Sequence, residues 1–129
     1  SAEGHYVVDA SHAGVGKVEV PIRISVRRGL VTRVDGGAEA GALSELLAGI
    51  EDERAYNVAE FGIGCNDHAK LSGATIEDEK VLGTCHLALG SNIYFGGSVQ
   101  VSVHLDGVLR APTVFFDGEK VLEGGRLLV

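Results

Sequence analysis

Positive charge is scarce in this sequence: eleven lysines and arginines stand against eighteen aspartates and glutamates, a formal net charge of −7 over 129 residues. That balance argues against nucleic acid or an anionic membrane surface as a partner, because both are held by basic side chains set against phosphates. Long apolar runs are missing as well. No stretch approaches the roughly 18 residues of a membrane-crossing helix, and the first twenty residues lack the basic-then-apolar order of a secretory leader. A cytoplasmic protein is the expectation. Cysteine is limited to Cys65 and Cys85, with no Cys-x-x-Cys pair, so reduced thiols are expected rather than a disulfide. There is no internal repeat and no low-complexity linker. A chain of this length supports one domain, residues 1–129, around one core.

Glycine, by contrast, is abundant: 19 residues, without the Gly-X-Y period of collagen and beside 45% apolar residues, which predicts a compact fold with many tight turns. The acid is concentrated. Residues 1–34 carry a net +2, residues 35–80 carry −8 and residues 81–129 carry −1. Val18, Val20, Ile22, Ile24 and Val26 alternate with polar residues and Pro21, predicting a strand over 18–26, with Leu30–Val34 as its hairpin partner after the Arg28-Gly29 turn. The period then changes. Leu43, Leu46, Leu47 and Ile50 fall at i, i+3, i+4 and i+7, the stripe of an amphipathic helix over 38–50, and Glu51-Asp52-Glu53 reads as its solvated end. Residues 65–71 are expected to form a helical turn and 75–80 a short helix or loop. Strands are expected at 84–89, 98–105, 112–116 and near 127–129. The fold class is therefore α+β: β-rich, with a mixed or antiparallel sheet, open or barrel-like, one amphipathic helix and short helical turns.

The stretch Val99-Gln-Val-Ser-Val-His-Leu-Asp106 holds the strongest chemical signal. On a strand, His104 and Asp106 share a face and can aim an imidazole nitrogen and a carboxylate oxygen at one point, a chelate suited to a divalent metal. A solvated polar face with an incidental His and Asp is the plainer alternative. Glu60 sits among Val58, Ala59, Phe61 and Ile63, where a carboxylate needs a partner. His86 shares its strand face with Thr84 and Ala88. Together Glu60, His86, His104 and Asp106 make the inventory of a metal site. His5, His12 and His68 read as surface or loop residues, and Glu77, Asp78 and Glu79 as surface acids or as support for the metal ligands.

Asn57-Val-Ala-Glu-Phe-Gly-Ile-Gly-Cys-Asn66, Glu77-Asp-Glu-Lys-Val-Leu-Gly-Thr-Cys-His-Leu-Ala-Leu-Gly90, the Phe95-Gly-Gly97 turn and Ser102-Val-His-Leu-Asp-Gly107 resemble the thermophilic metallo-aminopeptidase family, peptidase family M29. The resemblance runs over nearly the whole chain and matches the C-terminal metal-binding domain of that family. It implies a co-catalytic zinc or cobalt site, with iron or manganese as lesser alternatives, held by Glu60, His86, His104 and Asp106. The implied reaction is hydrolysis of N-terminal residues from peptides. Glu60 and Tyr94 would be the catalytic groups, Tyr94 as the nearest counterpart of a catalytic tyrosine. Family members are about three times as long, and their first metal-binding Glu lies upstream, so one of five ligands is missing and a second metal is expected to bind weakly; tight binding of two ions would point to a fifth ligand such as Glu79 or Glu3. A homodimer or an N-terminal domain would complete the site. The alternatives are a mononuclear non-haem metal protein, with ring-cleaving dihydroxypyridine dioxygenases as distant relatives of the fold, and a metal-binding or dimerisation module without activity. Metal content and leucine p-nitroanilide cleavage separate the three.

Overall fold

The structure is a computed structural model and describes residues 1–129. It opens with β1 (Gly4–Val8) and two two-residue strands, β2 (Ser11–His12) and β3 (Gly16–Lys17). The hairpin follows as β4 (Ile22–Arg27) and β5 (Leu30–Asp35). β4 starts four residues later than its apolar alternation does. The physical reason lies in the donors: Val20 N–H goes to the Glu39 carboxylate at 3.2 Å, Glu19 N–H to the same oxygen, and Pro21 has no N–H to offer. Within β4 the period of two is kept, with Ile22, Ile24 and Val26 buried. β1, β4 and β5 form an antiparallel sheet in that order.

Helix α1 (Ala38–Ile50) has the predicted bounds and turns Ala40, Leu43 and Leu47 inward. It ends at Glu51 in the left-handed region, φ 56°. Asp52 then caps a 3-10 turn, Glu53–Tyr56, accepting from Arg54 N–H at 3.0 Å. The acidic run after the helix is thus spent on chain direction.

The second half builds a five-stranded antiparallel sheet from β6 (Val58–Ile63), β7 (Cys85–Gly90) and β8 (His104–Leu109), extended by β2 and β3 in the order β3-β2-β8-β7-β6. Between β6 and β7 lies the one-turn helix α2 (Thr75–Asp78). The chain closes on a three-stranded meander, β9 (Val114–Phe116), β10 (Glu119–Glu123) and β11 (Arg126–Leu127). None of the sheets closes into a barrel, which settles the open alternative. No helix is long and apolar enough to cross a membrane.

Two expectations about local structure fail for one reason, the engagement of the backbone groups by other partners. Residues 98–103 alternate like a strand, yet Val99 and Val103 bond to the turn at Ser91 and Asn92, and β8 begins only at His104. Residues 65–71 form no helical turn, because Asn66 makes an isolated parallel bridge to Val81 instead. The principal core joins the β1-β4-β5 sheet and α1 to the back of the larger sheet through Leu89, with Leu105 and Leu109 packed against it. His12 is also placed differently from expectation. It is fully buried on β2, with its ring against Gly107 of β8.

Candidate metal centre

Strand register explains why four distant residues meet. Across β6, β7 and β8, Glu60 lies opposite Ala88 and Ala88 opposite Asp106. Opposed residues share a face, so two carboxylates flank one methyl group. His86 precedes Ala88 by two, and His104 precedes Asp106 by two, which puts both imidazoles on that same face. Ala88, fully buried, is the floor of the cluster. Gly62 stands opposite His86, and a side chain there would overlap the imidazole. A methyl and a hydrogen at these positions make the room the donors occupy.

Glu60 Oε2 lies 2.9 Å from His104 Nε2, and Glu60 Oε1 3.4 Å from His86 Nε2. Asp106 Oδ2 is 3.8 Å from His104 Nε2. One donor atom each from Glu60, His86 and Asp106 falls within 4.8 Å of the others. The four predicted metal residues are therefore brought together. They line an open cavity of about 620 Å³, with Phe95, Glu79, Lys80, Asn66 and Cys65 on its walls. Phe95 stacks on the His104 ring at 5.6 Å with an interplanar angle of 27°. Tyr94, the predicted catalytic tyrosine, does not line this cavity and is 94% exposed. The turn that carries it presents the next residue to the site. Glu3 is engaged elsewhere, accepting from Arg28 N–H at 2.9 Å.

The hydrogen-bonding pattern of His104 tests whether a cation fits. Its Nδ1 is 2.8 Å from the Ser91 carbonyl and its Nε2 faces the Glu60 carboxylate. Both ring nitrogens thus meet acceptors, while a neutral imidazole has only one N–H to give. Either the ring is charged, or an ion lies between Nε2 and the carboxylates. Burial opposes charge on His104, but the Ser91 carbonyl and the carboxylates of Asp106 and Glu60 outweigh it and hold its pKa above the ordinary imidazole value. Asp106 is pushed up to about 6, first by burial, then by the hydrogen bond to Glu79 and the negative charge of Glu79, with His104 opposing. For Glu79, burial is outweighed by hydrogen bonds to Lys80 and Asp106, and its pKa falls. Asp106 Oδ1 is buried with no donor facing it. Two imidazoles and two carboxylates, one with an unpartnered oxygen, suit a borderline divalent ion such as iron(II), manganese(II) or zinc(II).

Sequence reasoning missed Phe95, Ala88 and Gly62 as parts of the site. A glycine between Phe61 and Ile63 and an alanine between Leu87 and Leu89 were the available signal, since a small residue in a strand interior marks close approach.

Comparison with known proteins now separates the candidate reactions. A family model described as NicX, 2,5-dihydroxypyridine 5,6-dioxygenase, matches residues 1–129. The chain is 25% identical over 142 aligned positions to the 2,5-dihydroxypyridine 5,6-dioxygenase of Pseudomonas putida, covering 97% of this chain and 39% of that protein. It also superposes on the solved structure of the 2,5-dihydroxypyridine dioxygenase from Pseudomonas putida with a TM-score of 0.89 at 24% identity, covering 99% of this chain and 40% of that one. The chain therefore spans about 40% of the length of these relatives. These matches overturn the aminopeptidase expectation, and with it the hydrolase class and the peptide substrate. The catalytic role expected of Tyr94 rested on that resemblance alone. The segments that carried it, around His86 and around His104, are those that assemble the donor cluster. Such a cluster serves hydrolysis and oxygen chemistry alike, so it could not tell them apart.

Proposed function

The chain belongs to the NicX, 2,5-dihydroxypyridine 5,6-dioxygenase family, and from that we propose that it is the metal-binding part of a non-haem dioxygenase that opens a dihydroxylated pyridine ring. The observation that carries the reading is His104, whose two nitrogens both face acceptors beside Glu60 and Asp106. Iron(II) is the ion we assign, because imidazoles with carboxylate on one face form the arrangement that non-haem iron oxygenases use. When bound, the iron supplies the electron-transfer chemistry that lets dioxygen react with an electron-rich ring.

The chain's own residues do the rest. The Ser91 carbonyl accepts a hydrogen bond from His104 Nδ1–H, which leaves the lone pair of Nε2 for the ion. Glu60 and Asp106 supply negative charge from either side of Ala88. Phe95 covers one face of His104 and narrows the approach. The cavity has space beside the cluster for a planar ring.

Anaerobic loading with iron(II), followed by metal analysis and oxygen uptake with 2,5-dihydroxypyridine, tests the reading. One iron per chain and oxygen consumed in proportion to the pyridine are expected, with both lost in His104→Ala and Asp106→Ala. Iron binding without oxygen uptake would restrict the chain to metal binding. No bound iron would sink the proposal.

A further inference from the structure

The hairpin turn at Arg28-Gly29 has no part in the metal centre, and it is an unusual place for arginine. Arg27 stands opposite Leu30 across this two-residue turn, and both turn residues have positive φ, 52° at Arg28 and 79° at Gly29. Such turns favour asparagine, aspartate or glycine at the first position, because other side chains are strained there. The turn is also held firmly. Arg28 N–H donates to the Glu3 carboxylate at 2.9 Å, Gly29 N–H to the Ala2 carbonyl at 2.8 Å, and the Gly29 carbonyl accepts from Val58 N–H at 2.8 Å. Successive strand residues point to opposite faces, but the left-handed turn brings Arg28 round, so that Arg27 and Arg28 line one cavity of about 440 Å³. Leu30, Val31 and Tyr56 give it an apolar and aromatic wall, and Glu53 also borders it. Arg33, Arg54 and Arg126 each form an ion pair with a carboxylate, whereas Arg27 and Arg28 form none, not even with Glu53.

We propose that this cavity binds a small organic acid, its carboxylate held by Arg27 and Arg28 and its apolar or aromatic body laid against Leu30, Val31 and Tyr56. A guanidinium matches a carboxylate with paired N–H donors, and these two have no carboxylate partner within the chain. Glu53 narrows the choice of anion. Two guanidiniums and one carboxylate leave a single net positive charge on the lining. Attraction to that charge grows in proportion to the ligand's own charge, whereas the cost of stripping its water grows with the square. A monoanion is therefore favoured over a doubly charged phosphate ester. None of these six residues lines the metal cavity, so binding here needs no metal.

Titration of the chelator-treated full chain with benzoate, followed by amide NMR shifts and calorimetry, tests it away from any metal. Benzoate is expected to bind with a Kd of about 1 mM and to move the amides of residues 28–32 and of Tyr56. Arg27→Gln and Arg28→Gln should each weaken it about 10-fold or more. Arg28→Gly is the sharper variant, since glycine suits the left-handed turn: the protein should melt no lower than wild type while benzoate binding falls as far as in Arg28→Gln. Phenyl phosphate, doubly charged at pH 8, should bind wild type more weakly than benzoate. No binding of benzoate, shifts confined to the metal cavity, or wild-type affinity in Arg28→Gly overturns the proposal. So does a melting temperature of Arg28→Gly well below wild type, which would make Arg28 a structural residue. Tighter binding of phenyl phosphate than of benzoate overturns the assignment of a carboxylate.

Discussion

Gly62→Ala perturbs the proposed centre by one methyl group placed on a neighbouring strand. The Cβ would overlap the His86 ring at Cε1 and Nε2, and Gly62 is not among the residues with positive φ, so the strand backbone accepts alanine. The ring must retreat by about an ångström to reach ordinary contact, whereas a metal bond tolerates only about 0.2 Å. His86 is therefore lost as a ligand. Losing it is expected to raise the metal Kd at least ~100-fold, or about 3 kcal/mol. The cost to the fold is small by comparison, on the order of 1 kcal/mol, because the displaced atoms are the far end of a side chain with freedom to rotate. The assay is cobalt(II) or anaerobic iron(II) titration beside thermal melting of the metal-free protein, in a cycle with His86→Ala. In the His86→Ala background the second substitution should change metal affinity no further. Wild-type affinity in Gly62→Ala, or a full effect of Gly62→Ala on top of His86→Ala, would refute the reasoning.

Other perturbations test other parts of the molecule. Asp106 is raised to about 6 from an ordinary 3.8, so in metal-free protein its contribution to stability is present at pH 4 and lost as pH rises through about 6. Metal-free Asp106→Asn should accordingly melt like wild type near pH 4 and above it at pH 8, by a few degrees; identical melting curves at pH 8 would contradict this. Added metal needs the ionised carboxylate, so its stabilisation of wild type should fade below about pH 6, as read by melting with and without chelator. Asp78→Ala strips acceptors from Ser11, Ser72 and Gly73 and should destabilise the protein by about 3 kcal/mol in urea unfolding. A loss under about 1 kcal/mol would show that these bonds hold little. Cys85 is buried and its thiol is pushed up to about 12 by burial, with Asp9 adding to the shift, while Cys65 is exposed. A thiol reagent at pH 8 should therefore modify one cysteine quickly and the second only on unfolding.

Much of the fold was legible because its strongest patterns are local. The apolar stripe of α1 and the alternation of β4 are each written in one segment and hold under packing. The run at 99–105 shows the limit. Alternation states which face a residue would take, but a strand also needs a neighbour, and the Ser91-Asn92 turn takes those backbone groups first. Short strands such as β2 and β3 carry no period at all. The four donors were identifiable from residue type, and the register joining them became visible only with the sheet. His12 was misread for the same reason, since nothing beside it in sequence indicates that Gly107 leaves room for its ring. Reaction class was the least legible, because the residues that bind a metal are shared by hydrolytic and oxidative chemistry.

The donors do not sit on equally secure strands. His86, His104 and Asp106 ride on β7 and β8, each paired on both sides, whereas Glu60 is on β6, the edge of the sheet, with an irregular register between Val58 and Glu60. Edge strands open more readily than central ones. Metal release from this site should therefore be paced by fraying of β6, with Glu60 letting go first. Residence time would then follow amide exchange in residues 58–63 more closely than the equilibrium strength of the remaining bonds.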